Sequence, residues 1–313
     1  MAVTVPVEEA VNNNDNTGGV VHPSSLETLL QLHQAGLIRH DVVLDQQHQQ
    51  DAWGSVVRFT VQGHLEFLDL GGCRLYRGLP DGALEIFTSS SSSSMTSLKQ
   101  LNLGGTDLPI GDMMALLQPL APTLEELHVG GNGLRDAGVE RLAAEFVAMA
   151  QNLRVLDLRY NDIGPVGCRA LCTAFREKQQ PSSSDTNSTT TMTKLYLEGN
   201  QIQDDGAKEI AHYLETSSLQ ELFVGANQIG PEGATALAES LRINTILTKL
   251  YLEGNNIGAV GADAFAQVLV ECNGKTALKH LFCDNNNIGK EVSKRLAKAL
   301  NSGTAIGESL LEG

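Results

Sequence analysis

The sequence predicts an α/β solenoid, a stack of strand–turn–helix–turn units. Three observations carry that prediction. The eleven-residue pattern L-x-x-L-x-L-x-x-N-x-I recurs in eight copies between Leu65 and Ile288. The copies begin at Leu65, Leu98, Leu124, Leu153, Met192, Leu219, Leu247 and Leu278, and most unbroken intervals are about 26 to 31 residues. After each regular copy, a turn containing glycine leads into a run with apolar residues at helical spacing. One such unit cannot bury its apolar face, but stacked neighbours can.

Each position of the unit has a physical reason, seen in Leu247–Ile257, LTKLYLEGNNI. Leu250 and Leu252 lie two apart, so a short strand puts both on one face. Asn255 follows where the chain leaves the strand. Its amide can satisfy backbone groups of a buried turn in its own repeat and, by expectation, the next. Stacked copies align Asn132, Asn161, Asn200, Asn227, Asn255 and Asn286. Cys73 and Thr106 hold that column in the first two copies and offer fewer hydrogen bonds, which predicts a looser N-terminal end. The following runs place Ala262, Phe265, Ala266 and Leu269 in one helix, and Ala234, Leu237, Ala238 and Leu241 in another, on a single face.

These motifs resemble the leucine-rich repeat family, in its long, helix-containing subclass typified by ribonuclease inhibitor. The subclass also includes the Ran GTPase-activating protein and the repeat domains of NOD-like receptors. The resemblance runs from about Gly63 to the C-terminus. It implies an α/β leucine-rich repeat solenoid of about eight repeats, shaped as a horseshoe, with a parallel β-sheet on the concave face and α-helices on the convex face.

In chain order, residues 1–22 are polar and asparagine-rich and read as a disordered tail. Residues 23–64 read as an N-terminal cap over the first repeat, beginning with a helix at Ser24 or Ser25. Trp53 fits that capping core better than a ligand anchor. His40, His48 and His64 follow no metal-ligand spacing and read as loop residues. Residues 65–313 form the repeat domain, interrupted by Ser/Thr-rich loops near 88–97 and 179–193. Helices are predicted near Val139–Ala150, Cys168–Lys178 and Val292–Leu300. Cys168 and Cys172 share a helix face and read as buried thiols rather than metal ligands.

The formal net charge is −15. That weighs against nucleic acid and against an anionic membrane, and it fits solubility or a basic protein partner. Five cysteines at irregular spacing and no signal-peptide pattern predict a reducing compartment, the cytoplasm, with the nucleus also open. A monomer is expected.

Strand alternation aims one column of side chains at the concavity: Asp69, Asn102, His128, Asp157, Tyr196, Phe223, Tyr251 and Phe282. The first four are polar and the last four aromatic, in a chain with only 14 aromatic residues. Lys194, Glu221, Lys249 and His280 flank the rings on one side, and Glu198, Glu253 and Asp284 on the other. An aromatic centre with a charged rim is the anatomy of a protein-binding surface. The rings could instead serve only as a cross-strand ladder. In the binding reading, one apolar face stays open to the concavity.

No nucleotide-binding glycine loop is present. Gly71-Gly72, Gly104-Gly105 and Gly130-Gly131 belong to repeat turns, and no nucleophile motif stands out. No cofactor, metal or catalysis is expected. The sequence therefore points to a non-enzymatic intracellular protein-binding scaffold or inhibitor that engages a partner, basic or a GTPase, through the concave face. The resemblance implies one alternative, a GTPase-activating protein of the Ran-activating type. Against it, no acidic tail follows the last repeat, and Arg135 and Arg159 at turn positions have no assignable role.

Overall fold

The computed structural model of the chain describes residues 31–32, 43–44, 56–59, 65–79, 97–179, 192–272 and 275–303. The eight motifs form eight strands: β3 (Leu65–Asp69), β4 (Gln100–Asn102), β5 (Glu126–His128), β6 (Val155–Asp157), β7 (Lys194–Tyr196), β8 (Glu221–Phe223), β9 (Lys249–Tyr251) and β10 (His280–Phe282). They pair in parallel and in sequence order. Upstream, β1 (Val43–Leu44) pairs in parallel with β2 (Val56–Phe59), and β2 pairs antiparallel with β3. That antiparallel step reverses the chain direction at the N-terminal end of the sheet, where β1 is the edge strand.

Between the strands run α1 (Ile110–Leu117), α2 (Arg135–Leu142), α3 (Pro165–Gln179), α4 (Gln203–Leu214), α5 (Pro231–Ser240), α6 (Gly258–Cys272) and α7 (Lys290–Gly303). Strands and helices alternate, giving the α/β horseshoe solenoid that the repeat pattern predicts. The predicted helices start too late. Pro165, with its fixed φ and missing N–H, already occupies the first turn of α3. After α2 the chain widens into a π turn at Ala143–Val147. Among the described residues, no helix is long and apolar enough to cross a membrane.

The core is one continuous apolar layer between sheet and helices. In-register leucines form its floor, Leu195 opposite Leu222 and Leu222 opposite Leu250, all fully buried. Cys168 and Cys172 are buried in α3, and the Cys168 thiol donates to the Gly206 carbonyl at 3.4 Å. The tail at 1–22, most of the cap including Trp53, His40, His48 and His64, the serine run Ser89–Ser94 and residues 304–313 lie outside the described residues. At the second insert, Gln179 closes α3 and the buried Met192 already belongs to the next repeat, while residues 180–191 lie outside the described residues.

The asparagine column is a hydrogen-bonded ladder, but it runs toward the preceding repeat rather than the next. Asn255 Nδ2 donates to Leu252 O of its own repeat at 2.8 Å and to Val224 O of the preceding one at 3.0 Å. Its Oδ1 accepts from Asn227 N at 2.9 Å and Ile229 N at 3.0 Å. The direction follows from the backbone. Turn N–H groups of one repeat already point at carbonyls of the following repeat, as in Gly199 N to Gly225 O. The leftover donors therefore face a side chain supplied from that following repeat. Thr106 is fully buried and tied in, its hydroxyl donating to Leu103 O at 2.8 Å and its N–H to Asn132 Oδ1 at 3.1 Å.

Two helix starts are capped across repeats. Gly230, the N-cap of α5, has no side chain to offer. Asp204 of α4 supplies the acceptor, its Oδ1 taking Gly230 N at 2.7 Å and Gly233 N at 2.8 Å. Asp136 of α2 does the same for α3 through Gly164 N and Gly167 N. A Cβ at Gly233 would lie 2.8 Å from Ala207 Cβ and 2.7 Å from Asp204 Oδ1, so glycine lets the carboxylate reach the helix end. Asp204→Ala is expected to cost about 1–2 kcal/mol, the usual value of an N-cap, read as a lowered urea midpoint. An unchanged midpoint would show that water replaces the carboxylate.

Candidate functional site

The concave column divides in two. In the first half, three of the four side chains turn back onto their own backbone. Asp69 Oδ1 accepts Gly71 N at 2.8 Å, Asn102 Oδ1 accepts Gly104 N at 2.8 Å, and Asp157 Oδ1 accepts Arg159 N at 3.0 Å. These are turn-forming contacts. His128 lies between two carboxylates, with Nδ1 3.4 Å from Asp157 Oδ2 and Nε2 3.8 Å from Glu126 Oε2. Burial pushes its pKa down, but the bonds to Asp157 and Glu126 outweigh burial and raise it to about 9. Asp157 also takes the Arg159 guanidinium at 2.6 Å. Burial would push its carboxyl up, yet His128 and Arg159 hold it well below the usual carboxylate range.

In the second half, Tyr196, Phe223, Tyr251 and Phe282 stand one per strand and are half-buried. Successive centroids are 4.3, 4.1 and 4.5 Å apart, with planes inclined by 14°, 11° and 9°. The steps are slightly shorter than the roughly 4.8 Å between strands, so the rings lean into contact. This corrects one expectation: the rings meet face to face, so their edges and the two tyrosine hydroxyls, not an open apolar face, meet the concavity. Ring edges carry positive partial charge. Arg159 closes one end, its Cζ 5.2 Å from the Tyr196 centroid. His280 lies nearly parallel to Phe282 at 6.1 Å.

The two flanking rows differ. In the row before the rings, Glu221 lies between Lys249 at 3.1 Å and Lys194 at 3.7 Å, so much of that charge is neutralised internally. In the row after the rings stand Glu198, Glu253 and Asp284, none of which has an ion pair within 4 Å among the described residues. Burial pushes the pKa of Glu198 up, and burial followed by the charge of Asp284 raises that of Glu253. Glu198 Oε2 is buried without a hydrogen-bond partner.

All eleven residues expected at the site therefore lie on or beside one strip of the concave sheet. Arg159 and Gly225 belong to the strip as well. Both sit two residues after the concave column, a position from which strand alternation puts side chains on the same face.

The Leucine Rich repeat family matches residues 121–143, 150–172, 189–211, 217–238 and 244–266. Among curated proteins, the chain is similar to the ribonuclease inhibitor of Sus scrofa, 29% identical over 64% of this chain and 40% of that protein. It is also similar to the ribonuclease inhibitor of Mus musculus, 25% identical over 67% of this chain and 37% of that protein. The chain thus spans about two fifths of the length of these relatives. Among solved structures, leiomodin-1 actin-binding site 2 matches with a TM-score of 0.34 and 16% identity, over 44% of this chain and 71% of that one.

Proposed function

We infer, for a chain that belongs to the leucine-rich repeat family and carries its ribonuclease-inhibitor-like form of repeat, that it is a non-enzymatic cytoplasmic scaffold or inhibitor binding another protein through the concave face. One observation carries the reading: the division of the concave column. In its polar half Asp69, Asn102 and Asp157 are engaged in turn contacts and His128 by two carboxylates, while its aromatic half leaves ring edges and hydroxyls on the surface. A stack held in place by its own contacts loses little side-chain entropy when a partner covers it. Tyr196, Phe223, Tyr251 and Phe282 form the contact centre. Lys194, Glu221, Lys249 and His280 form one rim, and Glu198, Glu253 and Asp284 the other. Aromatic residues at the middle of a patch are where binding energy concentrates.

The test compares the intact chain with a variant carrying Tyr196→Ala, Phe223→Ala, Tyr251→Ala and Phe282→Ala, after circular dichroism shows both folded. A control variant carries Val260→Ala and Val270→Ala, two exposed helix residues. Proteins captured from cell extract are quantified, and a purified ribonuclease, the target in the relatives' name, is a defined arm. A partner held by the intact chain and the control, but reduced about a hundredfold by the ring variant, is the expected result, since central aromatic anchors carry several kcal/mol. Equal capture by all three overturns the concave-strip reading. A GTPase among the lost partners, with accelerated hydrolysis in its presence, would replace the scaffold reading by GTPase activation.

A further inference from the structure

In the turn after each strand, the position just before the asparagine column has positive φ in all eight repeats, from 53° to 71°. A side chain there crowds its own backbone, and five of the eight residues are glycine. Of the others, Ala226 is small and Asn285 is of a type that tolerates this region. Tyr160 is the exception, a bulky residue at φ 53°. Holding such a residue there costs stability, and strain of this kind collects at functional sites. The ring returns little of that cost to the fold. It is 67% exposed, more than any other aromatic side chain among the described residues. Among them none stacks on it or hydrogen-bonds to its hydroxyl.

What the ring does have is a seat. A Cβ on Gly199, in the next repeat, would lie 2.3 Å from Tyr160 Cδ1 and Cε1, so the ring rests on bare glycine backbone. Asp162 crosses to the same turn, its Oδ1 accepting Gln201 Nε2 at 3.4 Å. An exposed ring and an exposed carboxylate therefore lie over residues 199–201, and Asp162 has no ion pair among the described residues. The place adjoins the aromatic strip. Arg159, next in sequence, lies with its Cζ 5.2 Å from the Tyr196 centroid.

We propose that Tyr160 is a second anchor for the partner protein, a platform at the rim of the sheet on which a cationic side chain of the partner lies, over the ring and beside Asp162. This rests on the concave-face reading above and carries the contact around the edge of the strip. The face of a tyrosine ring attracts a cation, and the neighbouring carboxylate adds to that attraction. The seat is not filled from within, because Arg159 is held by Asp157 at 2.6 Å and lies against Tyr196 instead. A net charge of −15 favours a basic visitor. A ring already seated on Gly199 gives up little freedom when it is covered.

The probe is a fluorescein-labelled octa-arginine peptide, titrated into the full chain by fluorescence anisotropy at about 150 mM NaCl, where remote charge is largely screened. Guanidinium groups stack well on aromatic faces. Tyr160→Gly removes the ring without changing any charge, and supplies the residue that five sister turns carry. Tyr160→Asn is a second ringless variant that tolerates positive φ. Tyr160→Phe keeps the ring, and Tyr76→Ala removes another exposed ring elsewhere. Both ringless variants are expected to weaken the peptide about fivefold, with Tyr160→Phe and Tyr76→Ala within about twofold of the intact chain. Asp162→Asn is expected to weaken it about threefold, against less than about twofold for Glu291→Gln, which removes the same charge from an exposed helix position. The urea midpoint of Tyr160→Gly should equal or exceed that of the intact chain.

Peptide affinity unchanged by both ringless variants would overturn the proposal, as would no binding up to about 1 mM. A midpoint lowered in both ringless variants would also overturn it, since the ring would then serve the fold. The two readings fail separately. A partner from extract that is lost with the four-ring variant but kept by Tyr160→Gly leaves the strip standing and removes the rim anchor. A partner kept by the four-ring variant removes the strip itself.

Discussion

Asn255→Ala is expected to destabilise the chain by about 4 kcal/mol, because it strips several buried groups at once. The amide makes four hydrogen bonds, two given to Leu252 O and Val224 O and two taken from Asn227 N and Ile229 N. Alanine leaves those backbone groups in a turn where Asn255 is only 3% exposed. An unpaired buried group costs about 1–3 kcal/mol, and two stranded N–H groups alone reach the expected value. Asn132→Ala should cost less than half as much. Its bonds are of the same kind, to Leu103 O and Val129 O, but Asn132 is only half-buried and water can replace it. Urea unfolding followed by circular dichroism reads both. Equal losses would mean that the ladder's cost is set by turn geometry and not by burial.

Raising the pH from 6 to 10 is expected to remove about 2 kcal/mol of stability from the native chain relative to a His128→Asn variant. His128 has its pKa raised from 6.5 to about 9 in the folded state by Asp157 and Glu126. A group raised on folding stabilises the native state fully below its unfolded pKa, and that contribution is lost as the pH rises through the folded value. The window is therefore pH 6.5 to about 9. The full shift would convert to about 3 kcal/mol, and the ring's one-third exposure to solvent screens part of it. Asp157 works on the acid side with the opposite sign. Its pKa is lowered from 3.8, so its share is present above that value and lost only on strong acidification. Thermal unfolding of both proteins across the range checks the difference. Parallel pH profiles would show that His128 is not held protonated.

The concave column was legible in the sequence because strand alternation decides which side chain faces out, and the motif fixes the strand. The sequence could not tell a stack from a set of open faces. That choice depends on ring torsions and on strands drawing the centroids to 4.1–4.5 Å, neither of which spacing encodes. Charge was similar. Spacing puts Glu221 on one side of the rings and Glu198 and Glu253 on the other, but does not show that Glu221 meets two lysines and the other two meet none within 4 Å among the described residues. The difference arises between repeats, across 27 or 28 residues of sequence.

The period, the strand and helix faces, the asparagine column and the position of the four rings were readable from the residues alone. All of these are set by spacing within one unit and repeated, so local alternation and burial suffice to read them. The fold was needed for the direction of the asparagine bonds, the aspartates that cap the next repeat's helix, the stacking of the rings and the pairing of Glu221 with two lysines. Each of these depends on how one repeat sits against another, where contacts between side chains distant in sequence outweigh any preference within a single repeat.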